Sequence, residues 1–239
     1  MSHATQIGRL GFYLTAPHPC SYLEEREAKA LFADPEEAQD NRVYTLLSRA
    51  GFRRSGEHIY RPRCEGCQEC RPVRIPIAHF APSRAQRRTW RQNQDLQCTP
   101  RETGFVPEHF ALYQRYQSSR HHGGGMDDPR PENYLSFLTA TWSQTVFHEF
   151  RLADRLVAVA VVDELGDALS AVYTFFDPDL GGRSLGRFAV LQLIHLAEQR
   201  GCQWLYLGYW IRGSRKMSYK GEYRPLECYQ DGHWQPVVE

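Results

Sequence analysis

The predicted fold rests on one stretch, residues 168–210, which reads ALSAVYTFFDPDLGGRSLGRFAVLQLIHLAEQRGCQWLYLGYW. Its first part, residues 168–176, is rich in aromatic and β-branched residues and predicts a strand. Its middle, residues 184–200, predicts an amphipathic helix because apolar residues recur at helical spacing. Its last part, residues 202–210, is a short apolar run that predicts a buried strand. The apolar residues of the helix are Leu185, Phe188, Leu191, Ile194 and Leu196.

Further strands are predicted on both sides of this stretch. Residues 146–151 and 156–163 precede it, and residues 226–236 predict a hairpin that turns at Asp231-Gly232. Strands followed by a helix and a buried strand are the order of an N-acyltransferase core of the GNAT type. The expected fold is therefore α+β, with a GNAT-like acyltransferase core of mixed sheet and flanking helices. An N-terminal helical and strand subdomain that contains cysteines is expected to complete it.

The N-terminal part is predicted to begin with two helices, at residues 24–33 and 36–50. Strands are expected at residues 52–60 and 72–80. A third helix starts at Ser83, where the order Ser-Arg-Ala-Gln predicts a capping box.

The middle of the chain is predicted to contain a loop around residues 98–106, which carries prolines and a glycine. Helices follow at residues 107–120 and 131–140. The loop divides the chain into an N-terminal subdomain, residues 1–103, and a transferase domain, residues 104–239. No apolar run approaches the 18 residues of a membrane span, and the start lacks a signal-peptide pattern. A cytoplasmic, reduced protein without membrane contact is expected, and nothing in the sequence predicts its oligomeric state.

Positive charge is concentrated in one part of a chain whose net charge is only +1. Residues 42–91 contain twelve arginines against three glutamates, a net charge of +9, so the remainder carries −8. Such asymmetry indicates a polyanion-binding region.

Part of that charge forms a stripe on the helix that follows Ser83. Its arginines fall at positions i, i+3, i+4 and i+7, which share one helical face. A solvated face normally mixes signs, because like charges four residues apart repel each other. The stripe is therefore interpreted as a surface for nucleic-acid phosphates. Its members are Arg84, Arg87, Arg88 and Arg91.

A cysteine array, CEGCQEC, occupies residues 64–70. Cys64, Cys67 and Cys70 have spacing that lets thiolates share one metal, and Cys20 is the candidate fourth ligand. Four thiolates suit Zn²⁺ or an iron–sulfur cluster. Three reduced, half-buried thiols are the alternative. Disulfides are disfavoured because the chain has an odd seven cysteines and no signal peptide.

The acyl donor is predicted from the start of the central helix. A GNAT enzyme that uses acyl-CoA has the pattern Q/R-x-x-G-x-G/A there, so that backbone N–H groups bind the pyrophosphate. The closest match is RSLGRF at residues 183–188, where Phe188 replaces the last small residue. Phe188 is expected to obstruct the backbone approach, which favours aminoacyl-tRNA over CoA as the donor.

Several polar residues are candidates for the chemistry. Two of only three lysines, Lys216 and Lys220, lie four residues apart, which favours sites that need a compact ammonium. Asp177 follows a strand and is either a functional carboxylate or a turn residue. His121 and His122 either act in the site or end a helix.

Taken together, these motifs resemble the arginyl-tRNA–protein transferase family, and within it the bacterial aspartate/glutamate leucyltransferase branch. The resemblance covers nearly the whole sequence, although the usual Cys-Pro-Tyr-Leu reads Cys-Ser-Tyr-Leu at residues 20–23. Other matching segments are YRP with the cysteine array at residues 60–70, PSRAQRR at 82–88, YQ at 116–117 with HH at 121–122, FFDP at 175–178, SLG at 184–186, and LGYWI at 207–211 with KMSYK at 216–220.

The resemblance implies transfer of an amino acid from charged tRNA to the α-amine of a protein with an acidic N-terminal residue, creating a degradation signal. The branch implies Leu-tRNA as donor and N-terminal Asp or Glu as acceptor; the sequence does not distinguish Leu from Arg. No cofactor is expected to be required for the chemistry. Predicted catalytic residues are Asp177, Tyr209 and Lys216. Predicted substrate-binding residues are the four stripe arginines with His121, Ser184, Tyr219, Lys220 and Tyr223.

Two other classes stay open from the sequence. One is a CoA-dependent GNAT N-acetyltransferase, which Phe188 disfavours. The other is a non-catalytic RNA-binding protein built on the cysteine array, which the length and buried pattern of the second half disfavour.

Overall fold

The computed structural model describes residues 10–37, 40–120 and 130–238. Within them the α-helices are α1 (Asn41–Arg49), α2 (Arg84–Gln92), α3 (Pro107–Arg120), α4 (Pro131–Leu138) and α5 (Leu185–Gln199). The strands are β1 (Phe12–Leu14), β2 (His18–Pro19), β3 (Glu27–Ala28), β4 (Ala30–Ala33), β5 (Arg53–Ser55), β6 (His58–Pro62), β7 (Arg71–Pro76), β8 (Leu96–Arg101), β9 (Thr145–Leu152), β10 (Arg155–Leu165), β11 (Ala168–Phe176), β12 (Trp204–Trp210), β13 (Glu227–Gln230) and β14 (His233–Pro236). Short 3-10 helices occupy Ile77–His79, Pro178–Arg183 and Ser218–Glu222.

An eight-stranded mixed sheet forms the centre of the fold, in the order β14-β13-β7-β12-β11-β10-β9-β8. Strands β11 and β12 are parallel, and the other neighbours are antiparallel. A parallel pair needs a crossover connection, and α5 supplies it. The mixed α+β architecture predicted from the sequence is confirmed.

Helices cover both faces of this sheet. The apolar side of α5 buries Leu185, Phe188 and Leu193 in the largest hydrophobic cluster. Leu112 and Tyr113 of α3 pack in a second cluster, formed with β9, β10, β11 and α4. Residues from α1, β4 and β6 pack against the start of β11 and β12 in a third. The sheet is therefore buried on both faces, as its apolar strands require.

A smaller four-stranded sheet, in the order β1-β4-β6-β5, lies in the N-terminal part. The predicted helix at residues 24–33 is wrong, because β3 and β4 occupy this segment. Residues 30–32 pair with residues 60–62 of β6, and residues 31–33 pair with β1. Long-range pairing overrides the helix propensity of a charged stretch. The predicted strand at residues 52–60 is in fact the hairpin of β5 and β6.

Most other predicted elements are confirmed within a few residues. The capping box at Ser83 is present, with Gln86 N donating to Ser83 Oγ at 3.2 Å and Ser83 N donating to Gln86 Oε1 at 2.8 Å. The predicted helix at residues 36–50 begins only at Asn41, where Asp40 is the N-cap. The predicted loop at residues 98–106 is wrong at its start, because residues 96–101 form β8 at one edge of the main sheet.

The main sheet draws strands from both sides of the predicted boundary at residues 103–104. Strands β7 and β8 precede the boundary, whereas β9 to β14 follow it. The division into two domains stays a prediction. No helix of the described residues is both long and apolar enough to cross a membrane.

Candidate active site

The central parallel strands separate toward their carboxyl ends. They pair through residues 168–170 of β11 and 204–206 of β12. Beyond that point each strand carries one extra residue, Val172 in β11 and Leu207 in β12, where its antiparallel pairing shifts register. Such bulges bend and twist strands. We call the opening between residues 171–176 and 207–210 the wedge.

Arg53 of β5 reaches into the wedge. Its Nη2 donates a hydrogen bond of 3.0 Å to the carbonyl oxygen of Val172 on one side. On the other side it lies against Gly208, whose φ is +72°. An added Cβ on Gly208 would lie only 2.9 Å from Arg53 Nη1. The guanidinium therefore spans the gap between the two strands.

Tyrosines surround this guanidinium. Its Cζ lies 5.9 Å from the ring centroid of Tyr209, and Tyr209 donates its hydroxyl to the carbonyl oxygen of Tyr60 at 2.9 Å. Electrostatic interactions also link Arg53 with Tyr22 and Tyr219. Burial raises the pKa of both phenols to about 12, so each hydroxyl stays protonated near neutral pH and can donate to an anionic ligand.

The two candidate lysines occupy different environments. Lys220 is only 6% exposed, and its Nζ donates to the carbonyl oxygen of Tyr209 at 2.7 Å. Burial and the nearby Arg53 lower the pKa of this ammonium well below its usual range. Lys216 lies four residues earlier and is exposed. The sequence-predicted Tyr209, Tyr219 and Lys220 thus come together at the wedge, with Lys220 bound to backbone.

The start of α5 lies beside the carboxyl end of β11. Ser184, the residue before the helix, has a left-handed backbone with φ of 53°. A Cβ on Gly186 would lie 3.0 Å from the Phe176 ring, which itself packs on Tyr116 with centroids 4.9 Å apart. The predicted substrate-binding Ser184 therefore sits where a strand end and a helix start meet.

The predicted obstruction by Phe188 is wrong. The ring points into the core, is 3% exposed, and packs against Trp90 and Phe150 with centroids 5.6 and 5.8 Å away. It lies one turn after Leu185, on the buried face of α5. The aromatic ring that crowds the helix start belongs instead to Phe176.

Asp177 is completely buried and held by ion pairs. Arg115 Nη2 donates to its Oδ1 at 2.6 Å, and Arg155 Nη2 donates to its Oδ2. Its Oδ1 also accepts from the backbone of Asp179 at 3.1 Å, which makes it the N-cap of the 3-10 helix. This geometry favours a structural role for Asp177, and the predicted catalytic role stays a prediction.

Tyr223 is buried next to the α5 start, with its hydroxyl 3.4 Å from the carbonyl oxygen of Arg187. Arg187 forms an ion pair of 2.6 Å with Glu222. This pair fixes the segment after Lys220 against the first turn of α5. His121 and His122 lie outside the described residues.

The arginine stripe lies on the outer face of α2, where all four side chains are exposed. The opposite face of α2 approaches the start of α5. Gln86 donates to the carbonyl oxygen of Glu222 at 3.2 Å, and Gln92 donates to that of Gly182 at 3.1 Å. Hydrogen bonds thus attach α2, which carries the basic stripe, to the segments around Glu222 and Gly182 that border the α5 start.

The four predicted metal ligands lie near each other. Burial, and then the neighbouring Cys20, Cys64 and Cys67, raise the pKa of the Cys70 thiol to about 12. The set of four sulfurs suits zinc or an iron–sulfur cluster. However, no three His, Cys, Asp or Glu side chains of residues 10–37, 40–120 and 130–238 are arranged to hold a metal. The donor types fit a metal, and the side chains would have to reorient to bind one.

The array also borders an open groove of about 690 Å³. Its basic lining residues are Arg61, Arg63 and Arg71. Arg61 is engaged, because it donates to the carbonyl oxygen of Ala50 at 2.8 Å and stacks on Phe52. The cysteines connect this groove to the wedge, since Cys70 lies near Lys220 and Tyr209.

Sequence reasoning missed Arg53. In the sequence it is one of twelve arginines in a basic stretch and carries no recognisable motif. The one available signal is Gly208, because an isolated glycine in an apolar strand pattern suggests a bulge or a close backbone approach.

Comparison with known proteins places this chain in a family. Models of the arginine-tRNA-protein transferase family match residues 18–88 with the N-terminal part and residues 108–230 with the C-terminal part. An aspartate/glutamate leucyltransferase of Nitrosococcus oceani is 51% identical over 98% of this chain and 99% of its own. Proteins of the same name from Hahella chejuensis and Pseudomonas aeruginosa are 50% and 48% identical, each over 96% of this chain and 98% of its own.

Solved structures give weaker similarity. L-PGS from Bacillus licheniformis has a TM-score of 0.48 and 9% identity, and covers 61% of this chain and 48% of its own. FemX has a TM-score of 0.45 and 7% identity, and covers 83% and 79%. Both TM-scores lie below 0.5, so neither assigns the fold. The sequence matches extend over nearly the whole chain, and the protein belongs to the arginine-tRNA–protein transferase family.

Proposed function

We propose that this protein transfers leucine from Leu-tRNA to the α-amino group of proteins that begin with Asp or Glu, and so creates a degradation signal. The observation that carries this proposal is about 50% identity, over nearly the full length, to proteins named aspartate/glutamate leucyltransferase. The reaction takes place in the cytoplasm, where charged tRNA is available.

The reaction balances without a cofactor. The α-amine nitrogen attacks the carbonyl carbon of the aminoacyl ester, and a new amide C–N bond forms. The bond between that carbon and the ribose oxygen of the tRNA breaks, and a proton from the amine passes to the ribose oxygen. The products are a protein longer by one leucine and an uncharged tRNA.

The main requirement of this reaction is that the enzyme positions the α-amine next to the aminoacyl ester. The ester is already activated, and an α-amine with a pKa of about 7.7–8.0 is partly neutral near pH 7. Holding amine and ester together supplies much of the rate. Donors that stabilise the oxyanion supply more. Tyr209, Tyr219 and Tyr223 contribute to the acyl pocket or stack on the terminal adenine of the tRNA.

The fold supports this assignment as a GNAT-like acyltransferase core. Strand β11, helix α5 and parallel strand β12 follow one another, and the two strands open at their carboxyl ends. The wedge faces the start of α5, where backbone N–H groups of a first helical turn favour negative charge. The acyl ester is bound between these elements, with Ser184 and Lys216 near the donor and Lys220 holding the Tyr209 backbone.

The tRNA body docks on the arginine stripe. Arg84, Arg87, Arg88 and Arg91 are exposed, and α2 is anchored beside the α5 start. Phosphate contacts of this kind supply most sequence-independent affinity. The stripe thus holds the acceptor arm while the 3′ end enters the cleft.

A metal on Cys20, Cys64, Cys67 and Cys70 belongs to the same proposal. Its role is structural, because these thiols cluster beside the segments that carry Tyr22 and Tyr209. No step of the transfer passes through it.

An assay with three alternative acyl donors tests the proposal. A peptide with N-terminal Asp is incubated with Leu-tRNA, Arg-tRNA or acetyl-CoA, and its mass is followed. We expect the mass of one leucine residue to be added, from Leu-tRNA alone. Addition of arginine would move the protein to the other branch of the family, and acetylation would replace the proposal by a CoA-dependent one.

A further inference from the structure

We propose that Arg53 reads the acidic side chain of the acceptor's N-terminal residue. This inference rests on the proposed function, because it names the residue that selects Asp or Glu within that reaction. The acceptor carboxylate enters the wedge and pairs with the guanidinium. Arg53 is then a specificity-determining residue, which places the adjacent α-amine for attack.

In the part of the chain that the structure describes, no carboxylate forms an ion pair with Arg53. Within the described residues, the structure gives it one hydrogen bond, to Val172, and a ring contact with Tyr209. A guanidinium has five N–H donors in a planar fork, so donors remain for a bidentate anion. Charges removed from water are normally paired. The free donors at Arg53 therefore indicate a ligand carboxylate.

Two other buried arginines provide an internal comparison. Arg54, the next residue, is fully buried, and two of its nitrogens lie 2.6 Å from the oxygens of Asp163. Arg74 is 9% exposed, and its Nε lies 2.8 Å from Glu227 Oε2. Both buried arginines are thus neutralised within the fold, whereas half-buried Arg53 faces the wedge with no acidic side chain of the described segments paired to it.

The position of Arg53 suits a substrate group. It lies between the carboxyl ends of β11 and β12, and β11 leads toward the α5 start where the ester is proposed to bind. Burial raises the pKa of Tyr219, so its hydroxyl remains protonated and can donate to the same carboxylate. Removal of water from this aromatic wall strengthens a charge pair.

The lysines are weaker candidates for this role. Lys220 already donates to the carbonyl oxygen of Tyr209, and burial lowers the pKa of its ammonium. Lys216 is exposed, where a charge pair contributes little. A partly desolvated arginine discriminates more strongly, because an amide in place of the carboxylate leaves its charge unpaired.

The test compares kcat/KM for matched peptides that begin with Asp, Asn, Glu or Gln, with Leu-tRNA as donor. The variants are Arg53→Met, Arg53→Lys, Lys216→Met and Lys220→Met, with Arg130→Met as a control at the exposed N-cap of α4. Arg130 lies outside the basic stretch 42–91, and its side chain makes no capping hydrogen bond. Thermal unfolding and Leu-tRNA affinity are measured for each variant.

We expect Arg53→Met to lower kcat/KM for the Asp peptide about 100-fold and to leave the low Asn rate within about threefold. The Asp-to-Asn preference should therefore collapse, while Leu-tRNA affinity is retained. Arg53→Lys should keep part of the preference, and it decides the question if the Met variant does not fold. Arg130→Met should behave as the wild type.

An unchanged Asp-to-Asn ratio in a folded Arg53 variant would overturn the inference, as would an equal loss on all four peptides. Collapse of the ratio in Lys216→Met or Lys220→Met instead would assign the role to that lysine. These outcomes differ from failure of the proposed function, in which the wild-type protein transfers leucine to none of the peptides.

Discussion

Arg53 occupies the space that a side chain on Gly208 would need. An ideal Cβ on Gly208 would lie 2.9 Å from Arg53 Nη1 and 3.4 Å from its Cζ. The glycine also has φ of +72°, a conformation that L side chains rarely adopt. Gly208 therefore has two roles. Its backbone conformation is part of the bulge that opens the wedge, and its lack of a side chain leaves space for the Arg53 guanidinium.

The first prediction concerns this pair. Gly208→Ala should lower the free energy of unfolding by about 2–4 kcal/mol, from backbone strain and a steric conflict, and should reduce leucine transfer. The matched control is Gly201→Ala, whose φ is +67° but whose Cβ would meet no atom within 4 Å. It should cost only about 1–2 kcal/mol and leave transfer intact. If both changes have equal effects in urea unfolding and in transfer assays, the proposed steric conflict between residue 208 and Arg53 is contradicted.

A second prediction concerns the arginine stripe. Arg87→Glu combined with Arg88→Glu should weaken Leu-tRNA binding and reduce the slope of log K against log salt by about 1–2, because fewer phosphates are neutralised. Filter binding over a salt series measures both quantities. Arg130→Glu, at the exposed N-cap of α4 and outside the basic stretch 42–91, serves as the control and should leave the slope unchanged. Wild-type affinity that does not respond to salt would exclude the stripe as the docking surface.

A third prediction concerns pH. His148 of β9 is 3% exposed, and burial, followed by Arg200, lowers its pKa to about 4. Between pH 6.5 and 4, His148 is therefore protonated in the unfolded protein, where its pKa is near 6.5, and neutral in the folded protein. Its contribution to stability is therefore present above pH 6.5 and is lost as the pH falls toward 4, by about 3 kcal/mol.

His148→Phe should remove this part of the pH dependence. Urea unfolding of the variant and wild type at several pH values between 7 and 4 gives the difference directly. Parallel stability curves for the two proteins over this range would contradict a buried neutral His148.

A fourth prediction concerns the cysteines. Anaerobically purified protein should carry stoichiometric zinc or iron, and Cys67→Ser should lose it, because a thiolate is the required ligand. Cys202→Ser is the control, since Cys202 lies outside the array, in the connection between α5 and β12. Elemental analysis decides the question. Metal-free wild-type protein with full activity under reducing conditions would reject the site and leave four reduced thiols.

The sequence predicts the second half of this fold well, because its elements follow local patterns. The strand at residues 168–176 and the helix after Ser184 have clear periodicity, and the structure reproduces both nearly to the residue. The segment at residues 24–33 fails for the opposite reason. Its glutamates and alanines favour a helix, and only pairing with β1 and β6 makes part of it a strand.

The candidate site was only partly predictable. Tyr209, Tyr219 and Lys220 lie in motifs near the end of the chain, and the structure brings them together. Arg53 comes from a hairpin about 150 residues earlier, so only the tertiary fold places it in the wedge. The ion pairs of Asp177 likewise join α3 and β10, which no local pattern reveals.

The central claim is transfer of leucine to an acidic N-terminus, and the product itself tests it most directly. A peptide with N-terminal Asp and one internal lysine is incubated with purified protein and Leu-tRNA, and tandem mass spectrometry locates the added residue. We expect a single leucine on the α-amine of Asp, and transfer to the matched Asn peptide that is slower by about 100-fold at the same enzyme concentration. Leucine on the lysine side chain, equal modification of both peptides, or no leucine at all would contradict the account.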